Sequence, residues 1–219
     1  NFSGLLVALC VVVPSAFLIL IEPDLGTAML FLPAMLAMLI AAGAKYKHLV
    51  IIAFLGISAS APMYMMLKPH QKDRINALIA QVQGDDRFEQ SIGYQGARAM
   101  TLIGAGQMWG VGETDAKELL AANHLPEEHN DMIFAVIVLR WGLRGAIIVW
   151  ALYAILGIGG ILASIGCRDP FPRLVAVGLT AILLSQMVIN TGMTLGLAPI
   201  TGLTLPFMSA GGSMLVAAW

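Results

Sequence analysis

Apolar residues run along this chain in long unbroken stretches instead of alternating with polar ones. Residues 4–21, 25–44 and 49–67 hold no charge, 141–166 are interrupted by Arg144 alone, and 174–199 and 203–219 are again uncharged. A helix crossing about 30 Å of hydrocarbon needs about 20 apolar residues. Lipid offers no partner to exposed backbone groups, so runs of this length predict helices, whereas a closed barrel would show short alternating segments. The pattern therefore predicts an all-α, polytopic transmembrane bundle of about six helices over 4–21, 25–44, 49–67, 141–166, 174–199 and 203–219. A connection of roughly 60 residues, 68–131, separates the third run from the fourth, far beyond the 2–8 residues usual in a bundle.

Charge orients the spans. The short connections holding Lys45 and Lys47, and Arg168 and Arg173 against Asp169, are basic and belong on the cytoplasmic side. Glu22–Asp24, the long loop and the Leu195–Thr201 turn then face outward. The long loop is net acidic, with Lys68, Lys72, Arg74, Arg87, Arg98 and Lys117 against ten acidic residues. It is also rich in apolar residues and glycine, which predicts that it folds back on the membrane surface, with an interfacial helix over Ile75–Gln83.

Composition narrows the function. Only 11% of residues are charged and 58% are hydrophobic, against about 25% charged in a soluble domain. A cytosolic enzyme and a disordered tail are excluded on that ground. Twelve Lys+Arg against 13 Asp+Glu leave a net charge of -1, which excludes a nucleic-acid binder. Cys10 and Cys167 lie in or beside apolar runs and suggest neither a disulfide framework nor a metal cluster. Asn1 is not an initiator Met and no basic region precedes the first run, so no signal peptide is expected. The chain begins and ends against membrane-length runs and reads as part of a larger membrane protein.

Several polar positions break the pattern. Residues 104–112 are glycine-dense, which suits either close approach to a phosphate or sugar, or a flexible turn. Pro126–Asp131 places acids just before the apolar Met132–Val138. Asn130 or Asp131 there would cap a helix, or a carboxylate with its pKa raised by apolar surroundings would serve as a base at the membrane boundary. His129 reads either as an acid–base or metal-binding group or as a hydrogen-bonding bystander. Gln186 and Asn190 share a helical face in an uncharged span, where interhelical hydrogen bonding is the favoured reading. Arg140 and Arg144 share another face and either snorkel to headgroups or attract a diphosphate. Proline and glycine in Thr201–Ser213 suit a broken helix beside a cavity, or a tight turn.

Taken in order, these segments resemble the SEDS family of bacterial cell-wall polymerases, the group of RodA, FtsW and SpoVE. Glu22-Pro23-Asp24-Leu25-Gly26-Thr27-Ala28 resembles its QPDLGTA and Gly93-Tyr94-Gln95 its GYQ. Gly110-Val111-Gly112 with Thr114 and Lys117 resembles GxGxS…K, and Leu125–Ala135 resembles LPExHTDFIFA. Gln186 and Asn190 fit its Q…N helix, and Pro199–Phe207 with Ser209 and Gly211-Gly212-Ser213 is close to PITGLTLPF.S.GGS.

The resemblance implies ten transmembrane helices in the intact protein, the first span here being the fifth, in the bacterial cytoplasmic (inner) membrane. It implies a peptidoglycan glycosyltransferase that joins lipid II units and releases undecaprenyl diphosphate. Asp131 would be the general base, with Arg74, Arg98, Lys117, Glu128, His129, Gln186, Asn190 and Ser209 as candidates for holding substrate. The implied partners are lipid II, membrane lipids and a class B penicillin-binding protein (a transpeptidase). A divalent cation such as Mg or Mn would suit the diphosphate, although no residue set in the sequence fixes one. The chain departs from the family where Leu139 and Arg140 replace the two acids of GEELG, where Ala210 replaces Tyr and Met214 replaces Ser, and at Arg98, where Ser is common. A lipid II flippase and a non-catalytic scaffold for the transpeptidase are the competing readings. The concentration of polar groups at the outer face favours chemistry there over transport.

Overall fold

The structure is a computed structural model, described over residues 2–22, 24–83, 93–127 and 129–209. All its regular elements are α-helices: α1 (Phe2–Ile21), α2 (Leu25–Ala41), α3 (Tyr46–Met66), α4 (Pro69–Gln83), α5 (Tyr94–Gly106), α6 (Glu113–Asn123), α7 (Ile133–Gly166) and α8 (Pro170–Thr194). Among the described residues, α7 and α8 are long and apolar enough to cross a membrane. α1 and α3, at 20 and 21 residues, reach about 30 Å.

The chain divides into two compact units. One comprises residues 1–72 and 156–185. Within it α1 packs on α2, and Met35 and Ile52 form a small core with Leu9, Val12, Leu36 and Leu39 around them. Asp24 starts α2 by accepting from the Thr27 amide at 2.9 Å, so the D-x-x-T spacing of the first motif is a helix cap. Later in this unit α7 and α8 approach closely at Gly160, where a Cβ would overlap the Thr180 side chain.

The second unit comprises residues 73–155 and 186–219. Its core joins α5, α6, the turn before α7 and the first turns of α7. Ala99, Leu102, Ala116, Leu120, Leu125, Met132, Ala135, Val136 and Leu139 are buried together. Met132, Ala135, Val136 and Leu139 follow the spacing of one helical face, which fixes how the chain enters α7.

The structure moves three expected boundaries. The run expected at 141–166 belongs to a helix that starts at Ile133 and breaks at Gly142, with φ 66° and ψ -159°, so the membrane-length segment lies after the break. The run expected at 174–199 is helical over 170–194. Pro170 occupies the first helical position, and Gly196 (φ 71°) turns the chain after Thr194. The helix expected over 203–219 is absent over its described part. Residues 201–205 are irregular and 206–208 form a turn, while 210–219 lie outside the described residues. Pro206 has no amide hydrogen, and Gly202 and Phe207 hold positive φ, so the segment cannot close a helical ladder.

Candidate functional site

Asp131 lies in a turn between α6 and α7. His124 ends α6 in the left-handed region, its amide bonding to the Leu120 carbonyl at 3.0 Å. The Glu127 carbonyl then accepts from the amides of Asn130 (3.0 Å) and Met132 (3.2 Å). α7 starts at Ile133, so the apolar Met132 holds the cap position and Asp131 lies one residue outside it. Within this turn Asp131 and Met132 are buried, while Glu127 and His129 are exposed.

Asp131 is 6% exposed, and its Oδ1 is enclosed without a hydrogen-bond partner. Burial pushes its carboxyl above the usual carboxylate range, and the charge of Glu127 pushes in the same direction. The backbone amides of Asp131 and Met132 and the positive charge of Arg74 oppose the rise without cancelling it. A carboxylate with one unsatisfied oxygen and a raised pKa has the properties of a proton acceptor.

Two polar side chains tie this turn to the irregular 201–209 segment. Asn190 of α8 donates from Nδ2 to the Asp131 carbonyl at 2.8 Å and to the Leu203 carbonyl at 2.6 Å. Ser209 Oγ donates to the Asn130 carbonyl at 2.6 Å and accepts from the Leu205 amide at 2.8 Å. The Tyr153 hydroxyl donates to the Pro206 carbonyl, holding the segment from α7. On α4, Arg74 Nη1 donates to the Ile200 carbonyl at 3.0 Å. Arg74 also lines a shallow cleft with Ala77, Leu78, Gly93, Met193 and Ile200. That cleft is mainly apolar with one cation, and Asp131 is not among its lining residues.

The other expected substrate residues are dispersed. Arg98 stacks on Tyr94, its guanidinium 5.1 Å from the ring centre, and donates to Asn123 Oδ1 at 3.3 Å. Lys117 pairs with Glu113 at 2.8 Å on the exposed face of α6, and the same bond holds the Glu113 carboxyl below its ordinary range. His129 is exposed and Gln186 is buried, each with contacts of its own. Glu128 lies outside the described residues. Among the described residues no three His, Cys, Asp or Glu side chains gather to hold a metal ion.

The glycine-dense stretch has a packing role in the fold. Its backbone lies against the break in α7. Val111 N donates to the Leu139 carbonyl at 3.0 Å, Gly112 N to the Arg140 carbonyl at 3.3 Å, and Leu143 N to the Gln107 carbonyl at 2.9 Å. A Cβ at Gly110 would overlap the Arg140 carbonyl, and one at Gly142 would lie 2.5 Å from the Met108 carbonyl. Both glycines hold positive φ, so closeness and backbone conformation select the same residue type. Arg144 joins the contact, stacking 4.0 Å over Trp109 and donating to its carbonyl at 3.3 Å.

Sequence reasoning missed Glu127 as the charge acting on Asp131 and Tyr153 as a tether. A phenol inside a long apolar run was the available signal for Tyr153, because a buried hydroxyl needs a partner. Leu139, the first of the two residues that replace acids, is fully buried in the core beside the turn.

Comparison with known proteins agrees with the resemblance. The model of the cell cycle protein family FtsW/RodA/SpoVE matches residues 1–219. A probable peptidoglycan glycosyltransferase FtsW of Nitrosomonas europaea is 36% identical over 98% of this chain and 54% of its own length. The stage V sporulation protein E of Bacillus subtilis is 30% identical over 97% of this chain and 56% of its own. A chain from a peptidoglycan synthase complex that coordinates polymerization and crosslinking superposes with a TM-score of 0.76. It is 28% identical and matches over 96% of this chain and 57% of that one. The chain thus spans about half the length of the relatives it matches. With the match running from its first residue to its last, this chain belongs to the FtsW/RodA/SpoVE cell cycle protein family.

Proposed function

We propose that this chain carries the base-bearing half of a peptidoglycan glycosyltransferase, with Asp131 as general base. The observation that carries the reading is a buried carboxylate with an unpartnered oxygen, in a turn ahead of a membrane-length helix. In the reaction, the acceptor sugar's 4-hydroxyl gives its proton to Asp131 while its oxygen bonds to C1 of the donor. The bond from C1 to the diphosphate oxygen breaks, and undecaprenyl diphosphate leaves with the electron pair. The raised carboxylate pKa narrows the gap to the acceptor proton, which favours transfer.

Arg74 supplies positive charge that acts on the base. The relatives' names support glycosyl transfer. The match to a chain of a synthase complex supports a crosslinking transpeptidase, the class B penicillin-binding protein, as partner. Multi-pass residence in the bacterial inner membrane follows from the same reading.

The test is polymerization of purified lipid II by the full-length protein. Asp131→Asn is expected to lower the rate by about 100-fold or more. Glycan strand formation at the unaltered rate would remove the base assignment.

A further inference from the structure

We propose that Asn190 is a positioning residue that holds Asp131 in place by clamping two non-helical segments to α8. The inference rests on Asp131 being the base, and goes beyond it by assigning a role to a side chain 59 positions away in sequence. Asn190 is fully buried. A side-chain amide has two N–H donors, and here both are spent on main-chain carbonyls: Asp131 at 2.8 Å and Leu203 at 2.6 Å. The two carbonyls belong to the 124–132 turn and the 201–209 segment, neither of which lies in a regular helix.

Without a helical ladder, such segments depend on side-chain tethers for a single conformation. Ser209 supplies the second tether, binding the Asn130 carbonyl. The carbonyls of two successive residues, 130 and 131, are thus held, one from α8 and one from the 201–209 segment. With both fixed, the Asp131 backbone has little freedom to move its carboxylate.

The choice of an amide follows from its neighbours. The charged groups acting on Asp131 are Glu127 from its own turn and Arg74 from α4. Residues 186–194 of α8 and the 195–209 segment contain no charged residue. Asn190 therefore places two donors and a neutral acceptor beside the site without adding a second buried charge. Asn190 Oδ1 and Asp131 Oδ1 are both enclosed and unpartnered. Replacing the amide by a carboxyl group would remove both donors and disfavour ionisation of Asp131.

The experiment uses the full-length protein in detergent, with lipid II as substrate, and compares Asn190→Ala, the near-isosteric Asn190→Asp and Asp131→Asn. Asn190→Ala is expected to lower kcat about tenfold or more, with KM held within about twofold. Asn190→Asp, which keeps the side-chain volume but loses both donors, should move the acidic limb of the kcat profile upward by about half a pH unit or more. Hydrogen exchange should rise together in peptides covering 127–132 and 201–209 of Asn190→Ala, a readout independent of turnover. Unaltered exchange in both peptides, or an unaltered kcat and pH profile in both Asn190 variants, would overturn the clamp. Full activity of Asp131→Asn would instead remove the base assignment, while the exchange data would still decide whether Asn190 holds the two segments.

Discussion

Asp131 is placed where its charge works against the fold, and this has a measurable sign. Its carboxyl titrates above the ordinary carboxylate value because burial penalises the ionised form. A group raised in the folded state contributes stability that is fully present below its unfolded pKa and lost as pH rises through the folded one. At pH 7–8 the ionised side chain therefore weakens the protein. Asp131→Asn should melt at the same temperature as the parent or higher at neutral pH, the gap closing below about pH 3.9, the unfolded carboxylate value. Thermal melts in detergent across pH check this. A clear loss of stability at pH 7 would show the carboxylate to be structural.

Its two charged neighbours should tune the rate in opposite directions. Glu127 raises the Asp131 pKa and Arg74 lowers it. Glu127→Gln is thus expected to move the acidic limb of the polymerization profile to lower pH, and Arg74→Met to higher pH. Equal shifts in the same direction would contradict the electrostatic arrangement.

The break in α7 works at the scale of elements. Backbone bonds from 111, 112 and 143 hold the α5–α6 connection against the helix at the point where Gly142 interrupts it. Replacing Gly142 by Ala should cost about 2 kcal/mol or more, through positive-φ strain and overlap with the Met108 carbonyl. Unfolding in denaturant measures it, with α5 and α6 expected to loosen first.

Leu139 stands where the family resemblance has an acid. It sits fully buried among Met132, Ala135 and Val136, so the position is packing here. Leu139→Glu, although it restores the family's acid, should destabilise the protein by about 3 kcal/mol or more, because a charge would enter an apolar core. Higher stability or activity in that variant would mean that the position faces the site.

For the whole molecule, the second part of α7 is apolar on nearly every face. Ile155, near its middle, is 66% exposed in the isolated chain. Such a surface needs lipid or further helices against it. Ile155→Arg should lower membrane insertion by about 2.5–3.5 kcal/mol if the residue reaches the bilayer centre. An insertion assay reporting the fraction of spanning chains checks this.

The helical, membrane-type character was legible in the sequence because a run of about 20 uncharged residues has one way to satisfy its backbone in lipid. Asp131 was legible as a candidate because the acids and the apolar helix that buries one of them are neighbours in sequence. The faces of Gln186 and Asn190 were legible from their spacing, but not the carbonyls that Asn190 would reach.

What the sequence determined by itself was therefore local: the apolar runs and an acidic turn ahead of α7. Proline and glycine had already marked 201–209 as a break or a turn; tertiary structure decided that Asn190 and Ser209 satisfy part of its backbone. It also decided that the glycines at 110 and 142 serve backbone contact and that Asp131 is buried with one oxygen free. Each of these depends on atoms far apart in the chain, whose meeting is set by packing and not by any local preference.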